Sequence, residues 1–394
     1  MTKRAGFVFR RDSLALTIAQ GLIGEGLHDY SSGLFLAAPR RTGKSTFLRE
    51  DLVPRCVEQG WLPVYVDLWA DRDKDPAELI RGAVAAALAP FEKGIRKLAK
   101  SAGVEKLNFL RTLSWDFSTP QLPADATLTQ ALELLHRAAQ KMIVLIIDEA
   151  QHALTSPAGI NAMFALKAAR DELNQGQDRG IGGLRLVLTG SNRDKLAHLV
   201  LNKNQPFYGS SITPFPLLGK DFTRAYTAHL NSHLAQTNQF SAADIDAAFD
   251  LVGRRPEMLR TIIGDVALEL GEAENLGDLL RNSAELLRAG VWEEFESAYN
   301  ALTLPQRAVL EVMADRAHDN QPFAPFADVT VLAVGKALET LGSDVVPGTQ
   351  TIQAAIDSLR DKELVWKSSR GAYALEDKAF GDWIRQRRDT RQRA

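Results

Sequence analysis

Apolar positions along the chain follow two different rhythms. Between Gly33 and Gly190, short blocks of consecutive apolar residues alternate with longer stretches at helical spacing. The blocks are Leu34–Ala37, Val64–Leu68, Ile143–Ile147 and Leu184–Leu188, with a shorter candidate at Ser211–Thr213 before Pro214. Ile143–Ile147 has no polar position at all, which predicts a central strand covered on both faces. Thr46–Gln59, Pro76–Phe91, Leu128–Ala139 and Asn161–Asn174 have the spacing of helices. Alternation of this kind predicts an α/β domain, a parallel sheet between two layers of helices.

Past Phe215 the strand signal stops. Asp221–Leu287 predicts consecutive helices, one of them capped by Ser241 ahead of Ala242-Ala243-Asp244. From Leu302 to Arg388 three helical stretches (Pro305–Ala317, Val329–Leu341, Thr351–Asp361) precede two β-like runs, Leu364–Trp366 and Ala372–Leu375, with Ser368–Gly371 as the turn. Three helices followed by a hairpin is the layout of a winged helix. The expected borders are 1–217 for the sheet domain, 218–298 for a helical lid and 299–394 for a winged-helix domain with a basic tail.

Composition narrows this picture only at a few points. The 394 residues allow two or three domains at roughly 150 residues each. Lys+Arg 47 against Asp+Glu 49 gives a net charge of −2, which excludes nucleic-acid binding through bulk positive charge but leaves room for a local basic patch. The single cysteine, Cys56, excludes an internal disulfide and a cysteine-based zinc site, and its apolar surroundings predict a structural thiol. The longest apolar stretches fall far short of a membrane span, and Gly6–Phe9 is too short for a signal-peptide core, so the chain reads as cytoplasmic by default. The six tryptophans, Trp61, Trp69, Trp115, Trp292, Trp366 and Trp383, form no stripe and are expected in cores or interfaces.

The chemistry is concentrated in Ala38-Pro39-Arg40-Arg41-Thr42-Gly43-Lys44-Ser45-Thr46, which follows the first strand and opens a helix. It matches the phosphate-binding pattern G-x-x-x-x-G-K-[ST], with Ala38 in place of the first glycine. A compact loop aims its backbone N–H groups inward, the helix N-terminus adds positive potential, and Gly43 permits the backbone turn. Lys44 is expected on β/γ-phosphate oxygens and Ser45 on Mg²⁺. Asp148 and Glu149 end the apolar strand Ile143–Ile147, where ligands of parallel sheets bind. Asp148 is expected to hold Mg²⁺ through water, and Glu149 to deprotonate the attacking water. Thr189-Gly190-Ser191-Asn192 ends another strand. If that strand lies beside the first, Ser191 or Asn192 positions the water; otherwise it is a plain turn. His152 reads as helix-start surface, and Arg40 and Arg41 as phosphate contacts, partners of acids in the lid or a neighbouring subunit, or solvated loop residues.

Taken together, these residues resemble the AAA+/STAND group of P-loop ATPases, and within it the archaeal and bacterial ATPases whose loop reads G-P-R-R-x-G-K-T/S. The resemblance spans nearly the whole chain: Phe9-Arg10-Arg11-Asp12, Ala38–Thr46, Asp148-Glu149-Ala150-Gln151, Thr189-Gly190-Ser191, Gly253-Arg254-Arg255-Pro256, Tyr373–Asp377 and Phe380–Ile384. It implies a three-layer αβα P-loop NTPase domain, a helical lid and a C-terminal winged helix. It implies that Phe9, Arg10 and Arg11 lie near the adenine and that Ser191 senses the γ-phosphate. Arg254, Arg255 and Pro256 match the lid motif that contacts nucleotide, with Arg254 replacing a glycine. The stretch Tyr208-Gly209-Ser210 lacks the arginine that such ATPases use on a neighbour's nucleotide; Arg193 is the nearest substitute by position, and a solvated loop arginine is its other reading.

These readings give an ATP- and Mg²⁺-binding ATPase in which the nucleotide controls a winged-helix domain. Thr351–Asp361 shows an outward face of Gln350, Gln353, Ala354, Asp357 and Ser358, polar but not basic. The tail from Asp382 carries Arg385, Arg387, Arg388, Arg391 and Arg393, which either grip the phosphates of double-stranded DNA or form a solvated end. Two alternatives therefore stand beside the switch. One is an ATP-dependent DNA-binding initiator or transposition-type regulator; the other is an ATP-gated scaffold for a protein partner or for self-association.

Overall fold

The computed structural model describes residues 7–101, 121–175, 182–236, 238–269, 276–343 and 345–393. Trp115, Lys3 and Arg4 lie outside them. The chain divides into two compact units.

One unit comprises Arg10–Ala38 and Lys44–Phe215. Its sheet is built from β1 (Leu34–Ala37), β2 (Leu62–Asp67), β3 (Ile143–Asp148), β4 (Leu184–Gly190) and β5 (Ile212–Pro214), in the order β2-β3-β4-β1-β5. Every pairing is parallel. Alternate residues of the buried strands face opposite helix layers. Phe35, Ile143, Leu145, Ile147, Leu186 and Leu188 belong to one apolar core. Leu34, Leu36, Val144, Ile146 and Val187 belong to the other. This is the physical reason that β3 reads as unbroken apolar sequence. Cys56 is fully buried in the second core, and burial pushes its thiol up to about 12, so it packs as an inert small hydrophobe.

The stretch expected as one helix over Thr46–Gln59 is broken. Lys44–Phe47 is α-helical, Leu48–Leu52 is a wider π turn, and Val53–Glu58 resumes the α-helix with Pro54 near its start. Proline has no N–H to continue the ladder, and the wider turn absorbs the mismatch. The π turn carries Asp51, which is buried and accepts the backbone N–H of Arg11 at 3.1 Å and an ion pair from Arg10 Nε at 2.9 Å.

The other unit comprises Met1–Phe9, Pro39–Gly43 and Pro216–Ala394. Helices Lys220–Asn231, Ala242–Leu251, Pro256–Glu269 and Leu276–Asn300 follow one another, and Ser241 caps the second by accepting from the N–H of Ala243. Their core gathers Phe222, Phe249, Leu259 and Ile262, with Phe7 and Phe9 packed against it. Helices Leu304–His318, Asp328–Thr340 and Thr349–Asp361 then precede the antiparallel hairpin β6 (Val365–Ser369) and β7 (Ala372–Leu375). The turn is tighter than expected: Ser369 pairs with Ala372, and Gly371 takes the left-handed conformation (φ 78°) that a two-residue connection requires. Ile352, Ile356 and Leu359 face the core as their spacing predicts.

The C-terminal segment is a packed helix rather than a solvated end. Lys378–Arg393 is a helix that buries Phe380, Trp383 and Ile384 in the core shared by these helices and the hairpin. Arg388 makes a two-pronged contact with Asp315, each arm 2.7 Å; Arg387 pairs with Glu296 at 3.1 Å, and Arg385 lies 3.7 Å from Asp315. Three of the tail arginines are thus engaged by acids of the same unit. Trp383 is only 5% exposed, so Trp383→Ala is expected to cost about 3–5 kcal/mol, whereas exposed Arg391→Ala should stay within about 0.5 kcal/mol of wild type. Denaturant unfolding followed by circular dichroism checks both; equal stability of the two variants contradicts the helix packing.

Candidate functional site

The carboxyl ends of β1, β3 and β4 converge because β4 lies between the other two. β1 pairs directly with β4 (Ala37↔Gly190), which fulfils the condition under which Ser191 faces the same site as Lys44. After β1 the N–H of Ala38 bonds to Gly190 O at 3.2 Å. Ala38 is completely buried in the apolar core with Leu36 and Phe47, so a methyl group is accommodated where the pattern expects glycine.

The loop Pro39–Gly43 turns through two left-handed residues, Arg41 (φ 67°) and Gly43 (φ 86°), and the Thr42 hydroxyl donates to Pro39 O at 2.9 Å. Arg41 Nε pairs with Glu257 Oε2 at 3.2 Å, the lid-acid alternative read from the sequence. Both side chains are more than half exposed, so this pair adds little stability. Arg40 and Thr46 are exposed.

Lys44 opens its helix with the ammonium 5% exposed, 3.1 Å from Asp148 Oδ1 and 2.9 Å from Glu149 Oε1. Asp148 is fully buried and also receives hydrogen bonds from the hydroxyls of Ser45, Thr189 and Tyr65, the last at 3.2 Å. Glu149 stands in the left-handed region (φ 54°) and turns the chain from β3 into the 3-10 helix Ala150–Thr155. Its Oε2 accepts the Ser191 hydroxyl at 2.7 Å, the Ser191 N–H at 3.2 Å and the Gln151 amide. Burial pushes both carboxyls upward, but Lys44 and these hydroxyl and amide donors outweigh it, leaving both below their ordinary values. Asp67, opposite Asp148 in the β2–β3 register, has the reverse balance: burial and the charges of Asp148 and Glu149 hold its carboxyl up against the Trp69 N–H and Lys44.

The structure therefore brings together Lys44, Ser45, Asp148, Glu149 and Ser191. Asn192 instead caps the helix Arg193–Leu201, accepting from the N–H of Lys195 at 2.9 Å. Phe9 packs edge-on against Phe222, and Arg10 holds Asp51. Pro256 opens its helix, and Arg255 is ion-paired to Asp377. Arg254 also stands in the left-handed region (φ 53°) and pairs with Asp250 at 2.6 Å. His152 packs edge-on against Trp69, with ring centroids 4.4 Å apart. Sequence reading missed Tyr65, Asp67, Thr189 and Gln151 as site residues. Tyr65, Asp67 and Thr189 lie in the last three residues of their strands, where strand order was the signal needed, and Gln151 reaches Glu149 around the turn that follows β3.

No protein-family model matches the chain, and a search of curated proteins returns no match. Among solved structures, a Walker-type ATPase of Pyrococcus abyssi is similar over 96% of each chain at 17% identity, with a TM-score of 0.53. The Aeropyrum pernix ORC2 protein in its ADP form is similar over 95% of this chain and 93% of its own, at 14% identity and a TM-score of 0.52. These likenesses show a shared fold.

Breaking the buried charge cluster has a defined consequence. Lys44→Ala leaves the buried Asp148 carboxylate and the largely buried Glu149 carboxylate without their cation and is expected to cost about 3–5 kcal/mol at neutral pH. Both carboxyls are depressed in the folded state, so their stabilisation is present above the ordinary carboxylate range and is lost as pH falls through the lowered values. The gap between wild type and Lys44→Ala should therefore narrow below about pH 4 in urea titrations. A gap that does not change with pH contradicts the cluster as described.

Proposed function

We propose that the chain binds ATP with Mg²⁺ and hydrolyses it, acting as a nucleotide-controlled switch whose output is the winged-helix domain. The observation that carries this reading is the Lys44 ammonium, buried between Asp148 and Glu149 with Ser191 on the same glutamate, at the carboxyl ends of a parallel sheet. An incoming triphosphate supplies the anion that a phosphate-loop lysine is placed to meet. Both ORC2 in its ADP form and the Walker-type ATPase share this fold at low identity, which supports the reading.

The residues present fit Mg²⁺, because the Ser45 hydroxyl and the Asp148 carboxylate form a hard oxygen set already joined by a hydrogen bond. When bound, the ion neutralises charge on the β- and γ-phosphate oxygens. Lys44 takes phosphate oxygens, and the Ser191 hydroxyl donates to the γ-phosphate. Glu149 accepts a proton from the water that attacks phosphorus as the β–γ bond breaks.

Coupling to the winged helix is supported within a single unit. Asp377 caps the C-terminal helix through the Ala379 N–H at 2.9 Å with one oxygen and holds Arg255 with the other. Arg255 is the residue that the resemblance assigns to nucleotide, so phosphate and Asp377 compete for one guanidinium. The lid is then the two-state element that nucleotide biases.

The scaffold alternative has its own support. Phe326, Val329 and Leu332, each more than half exposed, lie at and along the start of the helix Asp328–Thr340, an apolar face suited to a protein partner. The DNA alternative has less, since three tail arginines are paired and the outward helix carries Gln353 bonded to Asp357.

Lys44→Ala should abolish ATP binding by calorimetry, and Glu149→Gln should bind ATP but retain it unhydrolysed. If Lys44→Ala binds ATP as tightly as wild type, the assignment fails. Asp377→Asn, by freeing Arg255, should tighten ATP binding by about tenfold, the weight of one charge-assisted contact; unchanged affinity removes the coupling. Light scattering with and without ATP reads the scaffold alternative, and salt-sensitive retention on duplex DNA reads the other.

A further inference from the structure

Under the ATPase reading, on which this inference rests, two of the donors now holding Glu149 have other duties once ATP arrives. Lys44, on Oε1 at 2.9 Å, and the Ser191 hydroxyl, on Oε2 at 2.7 Å, both turn to phosphate. A carboxylate stripped of both keeps the Ser191 N–H at 3.2 Å on Oε2 and needs a second donor to fix its plane just when it must face a water molecule. Gln151 is the side-chain donor to Glu149 with no such second duty.

Its placement is specific. Gln151 is 3% exposed and sits in the first turn of the 3-10 helix Ala150–Thr155, where the left-handed Glu149 bends the chain back on itself. Its Nε2 donates to Glu149 Oε2. The opposite amide orientation would set oxygen against oxygen. Among the described residues its Oε1 has no hydrogen-bond partner, a cost that a purely structural glutamine would not incur.

Gly190, at the end of β4, gives a second and independent observation. A Cβ built there would fall 2.5 Å from Gln151 Oε1 and 3.2 Å from Leu196 Cβ. Gly190 is not among the positive-φ glycines, so its backbone does not require glycine. What requires it is the room taken by the Gln151 amide.

We propose that Gln151 is the positioning residue for Glu149 in ATP hydrolysis, and that Gly190 is bare so that the Gln151 amide can seat against β4. The amide keeps one carboxylate oxygen fixed while the other is released to the water.

The test compares wild type, Gln151→Leu and Gly190→Ala, each also in the Glu149→Gln background. Steady-state hydrolysis, binding of a fluorescent ATP analogue and thermal unfolding are measured on the full chain. Leucine keeps the apolar volume and removes the amide; alanine at 190 displaces the amide while leaving Gln151 in place. Both single variants should lower kcat about tenfold, the factor carried by one hydrogen bond to a charged group, with KM and analogue affinity unchanged. In the Glu149→Gln background, where no hydrolysis remains to be lowered, the readout is analogue binding, which neither substitution should change. Full kcat in both single variants, with hydrolysis still abolished by Glu149→Gln, overturns this inference alone. So does a loss matched by weaker analogue binding in either background. A wild-type chain that does not hydrolyse ATP overturns the ATPase reading as well.

Discussion

One buried ammonium organises the sheet domain. Lys44 is nearly inaccessible, yet it faces two carboxylates within 3.1 Å. Removing three charges from water is costly, and only close mutual contact with every remaining lone pair satisfied offsets it. The surrounding donors follow from that requirement. Ser45, Thr189 and Tyr65 complete the shell of Asp148, while Ser191 and Gln151 complete that of Glu149. Thr189 and Ser191 reach their targets because β4 lies beside β3, and Tyr65 because β2 pairs with β3 on its other side, so strand order is part of the electrostatics and not merely of the topology.

The other unit handles charge differently. Four of its arginines are about a quarter exposed and meet acids of the same unit: Arg388 with Asp315, Arg387 with Glu296, Arg255 with Asp377 and Arg254 with Asp250. Such pairs contribute modestly to stability in a high dielectric, and they exchange partners at little cost. A buried cluster suits a site that must be set in advance of its ligand. Under the proposed switch, a matched surface network suits a domain whose contacts are to be redistributed.

Legibility from sequence follows the same division. The apolar blocks and the phosphate loop located all five strands to within two residues at each end, because consecutive buried residues and a glycine-lysine-serine turn are local signals. Ser191 was readable only conditionally, since its role depended on which strands are neighbours. Tyr65 and Gln151 were not readable as site residues, because their importance lies in hydrogen bonds across 83 residues in one case and around a left-handed turn in the other. The partners of the tail were hidden for a related reason: Asp315 and Glu296, which engage Arg385, Arg387 and Arg388, lie far away in sequence. The break at Leu48–Leu52 was hidden because Pro54 falls near a permitted helix start, and the wider turn before it leaves no compositional mark.

Backbone strain gives an independent line of support for where function sits. Six described non-glycine residues have positive φ. Gln140, Arg254, Asn320 and Glu363 stand just past the ends of helices, where a left-handed residue closes the last turn and its cost is repaid by capping hydrogen bonds. Arg41 and Glu149 close no helix. One bends the phosphate loop, and the other turns β3 so that a carboxylate meets Lys44. A conformation disfavoured for a side-chain-bearing residue persists only where its surroundings over-determine it. At Glu149 those surroundings are the buried ammonium, Ser191 and Gln151, so the same contacts that satisfy the charge also hold the backbone in its disfavoured turn.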